Sequence, residues 1–557
     1  MVLGLDLGSS SVKALRLGLR GGGGRLVRWT IATRRGRGGR VEQDAEAILR
    51  RSIEALRSAA GAGTAVGGET PLGIATQRST VLFWDRDDGR PLTPAYSWQD
   101  LRGAPLCERI VRRGRAAGAG TADPAALVAR RTGLRLSPHY SASKLAWAMA
   151  HVPGLRRKAS AGRALWGTLG SFLLFRLSGG AFYALDHANA QRTSLLDLGT
   201  LSWDPDLFVL FGLEALLDAP ALPALVPTFP SAQATLSADG LHLRLAASTG
   251  DQQGALLGLG CRRPGDLAIN YGSGAFVLEN VGARPVHAPG LLTTLLASWR
   301  EERAETPRAA ALYALEGTVN AAATAIDWAR RRLRLRVHTA DLDRFLGPDD
   351  GRPRRLHFLP AISGTGAPRW DPRARPRFAG SLSGATPRDL LRAVVESIAY
   401  RCAEIVRAAE AHARSGSSRG KAPSRSAPVL VAGGLTHCHT LLQAQADLLG
   451  RPLLVRSLPD ATALGAALMA RDGARRLFRE AGRTRLVLAR AGASRGAGRS
   501  GDRLILPRLT LDEAEERFRA WARAVYGAGR GRGGADTDPG AAGRSEGRAR
   551  RGTTARS

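Results

Sequence analysis

Residues 2–17, VLGLDLGSSSVKALRL, alternate apolar residues with small or polar ones on both sides of a Gly-Ser turn. This alternation predicts a β-hairpin with strands over 2–7 and 12–17. Asp6 is the one carboxylate in the first of these strands. Because burial disfavours a charged carboxylate, such a residue is expected to be paired or to hold a cation. The role of Asp6 therefore decides whether the hairpin is functional.

The turn after Asp6 offers groups that suit bound phosphates. Backbone N–H groups of a Gly-Ser turn can point at an anion, and hydroxyls and a positive charge follow from Ser9, Ser10, Ser11 and Lys13. With a carboxylate directed at the metal, this set suits Mg²⁺-bound phosphates. An aspartate that caps a tight glycine turn explains the residues slightly better when they are taken alone. No GxxxxGK[ST] motif occurs, which excludes a P-loop.

A second hairpin of the same pattern lies in the second half of the chain. Residues 266–282, DLAINYGSGAFVLENVG, again have the pattern of strand, Gly-Ser-Gly turn and strand, and 247–260 place a polar cluster at the head of an Ala/Leu/Gly-rich helix. The chain therefore resembles two related α/β halves, which would place a nucleotide between them. Further predicted elements are helices over 42–59 and 141–151, two strands within 71–92, and a strand, Gly-Gly turn, helix and strand over 429–455.

Length and composition are typical of a globular protein with more than one domain. The chain has 557 residues, 44% hydrophobic and 23% charged, which is too long for one core. No apolar run reaches membrane-spanning length and no leader pattern precedes the first strand, which predicts a cytoplasmic protein without membrane insertion. The four cysteines, Cys107, Cys261, Cys402 and Cys438, form no CxxC pair, which predicts reduced thiols.

The net charge of +33 is unusual, and a strongly basic chain is typical of proteins that bind nucleic acid or anionic membranes. Nearly all the basic residues are arginines dispersed along the chain, and lysine occurs only at positions 13, 144, 158 and 421. No basic stripe with interleaved aromatic residues accompanies the charge. No specific nucleic-acid partner is therefore predicted, while binding of polyanions by the arginine-rich surface stays open.

Asp251 lies at the head of the helix predicted within 247–260, in the segment TGDQQ. An aspartate directly before a helix is most simply an N-cap. An aspartate at a helix N-terminus that faces a cleft could instead accept the proton of a hydroxyl nucleophile as a general base. Position alone does not separate these roles.

Arg78 and Trp98 lie in the segments TQRSTVLFWD and YSWQDLRG. An indole offers a polyol an apolar wall and a guanidinium offers it fixed donors, so the pair suits a polyol site. A core tryptophan with a surface arginine explains the same residues somewhat better on their own. Gly433 and Gly434, at a predicted strand-to-helix turn, permit a nucleotide to approach closely, and they equally serve turn geometry.

The order of these motifs resembles that of the FGGY family of carbohydrate kinases, most of all its members that phosphorylate glycerol. The similar stretches run collinearly from residue 3 to about residue 470, and more loosely to Trp521. A collinear set of this length is specific, whereas each motif alone is not. The stretches include GLDLGSSSVKA, GIATQRSTVLFWDRDDGRPLTPAYSWQDLR, SASKLAW, DHANAQRTSLLDLGTLSWD, TGDQQGALLG, NYGSGAFVLENVG, YALEGTVNAAATAIDW and SGTGAPRWDPRAR.

The resemblance implies an α/β fold of two actin-like (ribonuclease H-like) ATPase lobes, with substrate bound in the cleft between them. It assigns 1–247 to an N-terminal lobe with substrate and phosphate elements, and 248–526 to a C-terminal lobe with the nucleotide site and the catalytic base at its start. Residues 527–557 lack apolar residues that could form a core and are expected to be a disordered tail. Family members often form dimers or tetramers, so a homo-oligomer is one expectation.

The resemblance also implies a role for each motif residue. Asp6 would hold Mg²⁺, and Asp251 would be the catalytic base in phosphoryl transfer from ATP. The substrate would be contacted by Arg78, Ser79, Trp98, His139, Tyr140, Gln252 and Phe276. ATP and its phosphates would be contacted by Ser9, Ser10, Ser11, Lys13, Ser273, Ala323, Asp327, Gly433, Gly434 and Cys438. The implied activity is ATP-dependent phosphorylation of a small polyol or sugar, with glycerol first and another short polyol or ketose second.

Several of these positions depart from the family pattern. Ser79 stands where glycerol-phosphorylating members have Glu, and His139 stands where they have Tyr, with Tyr140 beside it as a substitute. Losing the charged acceptor at position 79 is expected to cost about 1.5–3 kcal/mol of substrate binding unless another group replaces it. On the nucleotide side the replacements are Ala432 for Asp, Cys438 for Asn, Asp327 for Gln and Lys13 for Arg. A weakened family member that binds ligands without turnover is therefore the alternative.

Overall fold

The computed structural model describes residues 1–19, 24–61, 69–116, 123–217, 222–230, 234–300, 309–348, 354–414, 427–458, 460–479 and 501–527. All but the first residue of the predicted tail over 527–557 lies outside these residues.

The first half of the chain forms the six-stranded sheet that contains the initial hairpin. Its elements are β1 (Val2–Leu7), β2 (Ser11–Leu17), β3 (Arg25–Thr30), β4 (Arg34–Arg35), β5 (Val41–Gln43), α1 (Ala45–Ala60), β6 (Thr70–Thr76), β7 (Val81–Asp85), β8 (Ala95–Tyr96), α2 (Ala104–Ala116), α3 (Pro124–Thr132), α4 (Ser141–His151), α5 (Leu155–Ser160), β9 (Ala164–Thr168), α6 (Leu169–Leu177), β10 (Ala184–Asp186), α7 (His187–Gln191), β11 (Leu196–Asp197), β12 (Ser202–Trp203), α8 (Pro205–Phe211), β13 (Ala224–Val226), β14 (Thr235–Ala238) and β15 (Leu241–Gly250).

The second half begins with a helix and repeats the hairpin. Its elements are α9 (Asp251–Leu259), β16 (Leu267–Tyr271), β17 (Ala275–Gly282), β18 (Leu292–Arg300), β19 (Ala309–Val319), α10 (Ala323–Arg332), α11 (Leu342–Leu346), β20 (Leu356–Leu359), β21 (Arg377–Gly380), α12 (Pro387–Arg414), β22 (Val429–Gly433), α13 (His439–Leu449), β23 (Leu453–Val455), α14 (Ala461–Arg479), β24 (Arg503–Ile505) and α15 (Leu511–Tyr526).

The main sheets of the two halves have corresponding strand orders, and the second sheet has one additional edge strand, β18. The first sheet has the order β14-β15-β6-β1-β2-β3, and the second has the order β18-β19-β17-β16-β22-β23-β24. In each sheet the first strand of an antiparallel hairpin, β1 or β16, is also paired in parallel with a later strand, β6 or β22. Both predicted hairpins are confirmed, and so is the α/β class. The domain boundaries after residues 247 and 526 stay predictions.

The predicted helices begin and end close to where the sequence places them. Asp44 caps α1 by accepting a hydrogen bond from the Ala47 N–H, so the helix predicted over 42–59 begins at Ala45. The helix predicted over 141–151 is α4. Helix α12 continues to Arg414, and its last turn carries His412 and Arg414. Basic residues in a last helical turn interact favourably with the helix dipole.

Helices α9 and α14 cross so closely that only glycine fits at the contact. A Cβ atom on Gly258 would lie 1.9 Å from the Ala461 carbonyl oxygen, and one on Gly465 would lie 1.8 Å from the Gly254 carbonyl oxygen. Helix α14 also packs on the first sheet, where a Cβ on Gly4 would lie 2.3 Å from the Ala463 carbonyl oxygen. The crossing therefore fixes the starts of α9 and α14 relative to the first hairpin.

All four cysteines are buried and free, as predicted. None of the described helices combines the length and apolar character needed to cross a bilayer.

Candidate active site

Charged side chains from both halves meet between the two main sheets. We call this group the interlobe site and define it by Asp6 on β1, Lys13 on β2, Arg78 shortly after β6, Asp251 at the start of α9, Glu316 on β19 and Asp460 directly before α14. Each residue lies on or beside an element that packs in the core, so the fold fixes its position.

Lys13 bridges two carboxylates at one side of the interlobe site. The hairpin register places Asp6 opposite Lys13, and Lys13 Nζ lies 2.9 Å from Asp6 Oδ2 and 2.8 Å from Asp460 Oδ2. Asp460 also accepts a hydrogen bond of 2.9 Å from the Ala463 N–H at the start of α14. Although burial alone would lower it, the two carboxylates raise the pKa of Lys13, which is therefore a cation at neutral pH. One positive charge thus joins the first hairpin to the start of α14.

Asp6 keeps one oxygen for a further ligand. Its side chain is buried, and Oδ1 has no hydrogen-bond partner among the described residues. Burial raises the pKa of Asp6 to about 7, so an added cation would stabilise the charged form. The described residues contain no group of three His, Cys, Asp or Glu that could hold a metal. The unpartnered Oδ1 of Asp6 fits Mg²⁺ that is bound by one carboxylate together with phosphates and water, as Mg²⁺ often is.

The turn between β1 and β2 contacts a residue predicted to bind substrate. The turn is closed by a 3.0 Å hydrogen bond from the Gly8 N–H to the Ser11 carbonyl. Trp98, which follows β8, donates its indole N–H to Ser9 Oγ at 2.9 Å. The Ser10 side chain is exposed and Ser11 is mostly buried at the start of β2. The structure thus brings Trp98 to the serine turn.

Asp251 is the first residue of α9 and not its cap, which corrects the simpler prediction of an N-cap. The N-cap is Gly250, and Asp251 Oδ1 accepts a 2.8 Å hydrogen bond from the adjacent Gln252 N–H. Strand β15 runs through Gly250, so the cap position falls on the strand's last residue. Arg78 Nε lies 3.3 Å from Asp251 Oδ1. Burial raises the pKa of Asp251 above the ordinary value for aspartate.

Arg78 is held by a carboxylate from the opposite half. Its two terminal nitrogens donate to Glu316 Oε2 at 2.8 Å and Oε1 at 3.0 Å. Glu316 also accepts hydrogen bonds from Arg192 and, at 2.8 Å, from Thr294 Oγ1. Although burial alone would raise it, Arg192 and Arg78 hold the pKa of Glu316 well below its usual range. Glu316 is therefore a buried, fully charged acceptor.

The other predicted substrate residues surround this ion pair from the first half. The Ser79 hydroxyl donates to the Arg192 carbonyl at 3.1 Å, and its φ of +64° is a strained value of the kind that clusters at functional sites. Burial raises the pKa of Tyr140, which lies within the electrostatic influence of Arg192 and Glu316. His139 is exposed, and its Nδ1 lies 3.1 Å from the Trp98 carbonyl oxygen.

Two predicted substrate residues come from the second half. Gln252 Oε1 is buried and has no hydrogen-bond partner in the described part of the chain. Phe276 lies on β17 and is partly buried. Gln252 therefore leaves a neutral acceptor beside Asp251, where the hydroxyl of a ligand could donate to it.

The predicted nucleotide residues gather at the turn of the second hairpin. The Ser273 carbonyl accepts hydrogen bonds from the N–H groups of Ala322 at 2.8 Å and Thr324 at 3.2 Å, and Ala323 donates to the Gly272 carbonyl. Gly433 pairs with Tyr271, the last residue of β16, and no atom lies within 4 Å of where a Cβ of Gly434 would be. Ser273, Ala323, Gly433 and Gly434 are thus brought together.

Asp327 and Cys438 lie near this turn but are engaged with other residues. Asp327 is exposed on α10 and pairs with Arg330 at 3.2 Å. Cys438 is buried at the N-terminus of α13, and its Sγ lies 3.7 Å from Asp343 Oδ1. Burial raises the pKa of Cys438 to about 12, so the thiol is neutral.

Three residues in or beside the interlobe site have no role in the sequence-based prediction: Glu316, Asp460 and Arg192, which contacts Glu316. The sequence marks Glu316 in the same way as Asp6: each is the one carboxylate in an apolar strand, which for Glu316 is YALEGTV. Arg192 and Asp460 carry no comparable signal, since one ends a short helix and the other precedes a helix as many aspartates do.

Two α/β halves with corresponding main sheets, and a charged site between them, match the two-lobed actin-like ATPase fold. Residues 1–258 match the family model for the FGGY family of carbohydrate kinases, N-terminal domain, and residues 267–471 match that for the C-terminal domain. The chain belongs to the FGGY family of carbohydrate kinases. The predicted class of enzyme, an ATP-dependent carbohydrate kinase, is thereby confirmed.

Curated relatives extend over nearly the whole chain. The chain is similar to the glycerol kinase of Citrifermentans bemidjiense, with 34% identity over 94% of this chain and 98% of the relative. It is 37% identical to the glycerol kinase of Thermus brockianus over 94% of this chain and 97% of that one.

Solved structures share the fold at lower identity. A Plasmodium falciparum glycerol kinase with ADP has a TM-score of 0.77 and 23% identity, covering 94% of this chain and 97% of that chain. A ligand-bound xylulose kinase from Lactobacillus acidophilus has a TM-score of 0.72 and 19% identity, covering 94% of this chain and 97% of that chain.

Proposed function

We propose that this protein transfers the γ-phosphoryl group of ATP to a hydroxyl of glycerol, giving glycerol 3-phosphate and ADP. The observation that carries the proposal is the 3.3 Å contact of Arg78 Nε with Asp251 Oδ1, beside the unpartnered Gln252 Oε1. A base, a cation and a neutral acceptor thus converge at the head of α9. Each hydroxyl of a polyol both donates and accepts hydrogen bonds, so this combination suits neighbouring hydroxyls.

Asp251 acts as the general base in this scheme. It accepts the proton of the attacking hydroxyl while that oxygen bonds to the γ-phosphorus and the bond to the ADP oxygen breaks. Because burial raises its pKa, the Asp251 carboxylate is a stronger base than an exposed aspartate. The Gln252 N–H holds the Asp251 carboxylate through Oδ1, and Arg78 lies beside it as a donor to the substrate.

Asp6, Lys13 and the serine turn serve the phosphates. When bound, Mg²⁺ neutralises the charge on the phosphate oxygens, and Asp6 Oδ1 is the protein atom that would hold it. Lys13 adds a positive charge between Asp6 and Asp460. The hydroxyl of Ser10 and the backbone N–H groups of the turn are donors for the phosphate oxygens.

The second hairpin turn serves the nucleoside. Ser273, Ala323, Gly433 and Gly434 supply a surface of small residues, and the absence of a side chain at Gly434 lets an adenosine group approach the backbone. Cys438 and Asp327 border this surface with a neutral thiol and a paired carboxylate.

Glycerol is proposed as the substrate because the curated relatives named glycerol kinases match most of the chain at 34 and 37% identity. A second candidate is another short polyol or ketose, of the erythritol, xylulose or ribulose type. Ser79 favours it, because a hydroxyl that donates to the Arg192 carbonyl replaces a charged acceptor. We also place the protein in the cytoplasm as a possible homo-oligomer, without a specific nucleic-acid partner.

The test is ADP release by the purified protein with Mg²⁺ and ATP in the presence of glycerol, erythritol, xylulose, ribulose or gluconate. We expect turnover with glycerol that is lost in Asp251→Asn and retained in Asp206→Asn, which changes an exposed aspartate in α8. Turnover with only one of the other compounds would identify that compound, and not glycerol, as the substrate. ATP binding without turnover on any compound would support the weakened family member.

A further inference from the structure

Glu316 accepts hydrogen bonds from three side chains and not from one ion-pair partner alone. It lies on β19, is 2% exposed, and accepts from Arg78 twice, from Arg192 and from Thr294. Arg78 and Arg192 belong to the first half of the chain, at sequence separations of 238 and 124 residues from Glu316. A carboxylate of the second half is thus surrounded by donors from both halves.

The geometry of Arg78 divides its donors between two carboxylates. The N–H donors of a guanidinium point in fixed directions within one plane. The donors that pair with one carboxylate therefore determine which N–H groups can reach another. Both terminal nitrogens are occupied by Glu316, at 2.8 and 3.0 Å. Only Nε reaches Asp251, at the longer distance of 3.3 Å. Arg78 therefore gives its bidentate pairing to Glu316 and a single weak contact to Asp251.

The balance of charges around Arg78 also favours its pairing with Glu316. Two cations, Arg78 and Arg192, are matched within this cluster by two carboxylates, Glu316 and Asp251. Without the charge of Glu316, the fork of Arg78 would have Asp251 as its remaining carboxylate. A bidentate Arg–carboxylate pair is strong and holds both oxygens of the carboxylate. An Asp251 held in this way would have both oxygens hydrogen-bonded to a cation, which stabilises its charged form and makes it a weaker base for the substrate's proton.

We propose that Glu316 is a positioning residue that holds the fork of Arg78 away from Asp251 and so leaves Asp251 free to accept the substrate's proton. This inference rests on the proposed function. It assigns no contact between Glu316 and substrate. Glu316 acts through Arg78, and because it lies in the opposite half, it completes this arrangement only when the two halves are together.

The test compares Glu316→Gln with Glu396→Gln. Glu396 on α12 is also a buried carboxylate with a bidentate arginine: Arg354 Nε lies 3.0 and 3.1 Å from its two oxygens. Glu396 makes no contact with the interlobe site in the described residues. The two substitutions remove the same charge from similar surroundings. Glycerol-dependent ADP release gives kcat and KM, and thermal unfolding reports the fold of each variant.

For Glu316→Gln we expect kcat to fall about 10- to 100-fold, with KM for glycerol raised severalfold and KM for ATP unchanged. Glu396→Gln should retain kcat within about twofold even if its melting temperature falls as far. If Glu316→Gln does not fold, Glu316→Asp, which retains the charge with a shorter reach, should show a smaller loss of kcat. Wild-type kcat in a folded Glu316→Gln, or an equal loss in Glu396→Gln, overturns the proposal.

ADP release by the wild-type protein distinguishes a failure of the proposed function from a failure of the role proposed for Glu316. If it releases no ADP with glycerol or the other compounds, the proposed function fails. If it does and the folded Glu316→Gln behaves like it, only the role of Glu316 fails.

Discussion

Arg78 Nε lies 3.3 Å from Asp251 Oδ1, and this contact joins the residues after β6 to the first residue of α9. Strands β6 and β15 are parallel neighbours that pair Thr76 with Gly250. The adjacent ends of these strands therefore bring the arginine and the aspartate together. The contact is thus a direct product of the sheet.

Replacing Arg78 with lysine tests the need for a fork. An ammonium cannot pair with both oxygens of Glu316 and also reach Asp251, although it retains the charge. We expect kcat/KM for glycerol to fall about tenfold or more in Arg78→Lys. Steady-state kinetics with glycerol varied at saturating ATP measures this. A variant that matches the wild type would show that charge alone suffices.

The rate should depend on pH through Asp251. A protonated Asp251 cannot accept a proton, so kcat/KM falls as pH falls through its pKa. Because burial raises that pKa, the midpoint should lie above about 3.9, the ordinary value for aspartate. The profile is measured with saturating Mg²⁺ over the acid range in which the protein stays folded. An acid midpoint below about 3.9, or a rate that does not fall as the pH is lowered, would contradict the role of a buried Asp251 as the base.

Replacing Asp6 with asparagine tests the cation site; it removes the Lys13–Asp6 ion pair together with a carboxylate whose charged form burial disfavours. The substitution removes a buried carboxylate with an unpartnered oxygen and leaves Lys13 paired with Asp460. We expect half-maximal rate to require about tenfold or more Mg²⁺, and the melting temperature in the absence of Mg²⁺ to be equal or higher. Mg²⁺ titrations of activity and thermal unfolding check the two parts. An unchanged Mg²⁺ requirement would show that Asp6 holds no metal.

The helix crossing should tolerate no added methyl group. A Cβ on Gly465 would lie 1.8 Å from a carbonyl oxygen, so Gly465→Ala must push α9 and α14 apart. We expect the free energy of unfolding to fall by about 1–3 kcal/mol, as measured by denaturant unfolding. Gly36→Ala is the control, since the nearest atom to its Cβ would be 3.4 Å away. Equal effects of the two substitutions would mean that the crossing is not tight.

Much of the framework could be predicted from the sequence because its signals are local. The alternation in 2–17 gives β1 and β2, and the same pattern in 266–282 gives β16 and β17. The position of Asp251 at the head of a helix is likewise a local property. Its status as first residue and not cap depends on how far β15 runs, which the residues around it do not reveal.

The partners of the site residues could not be predicted in the same way. Glu316 and Arg78 are 238 residues apart, and Lys13 and Asp460 come from opposite ends of the chain. Their contacts arise from the pairing of strands and the crossing of α9 and α14, and no local pattern encodes either. The replacement at Ser79 illustrates the consequence: the sequence reveals the lost carboxylate, and only the structure reveals that the Ser79 hydroxyl donates to the Arg192 carbonyl.

Phosphoryl transfer to glycerol is tested most directly by ³¹P NMR of the products formed from ATP, Mg²⁺ and glycerol. We expect a phosphomonoester resonance of glycerol 3-phosphate that grows with ADP in the wild-type protein and is absent in Asp251→Asn. Release of inorganic phosphate without a phosphomonoester, or the same product at the wild-type rate in Asp251→Asn, would contradict it.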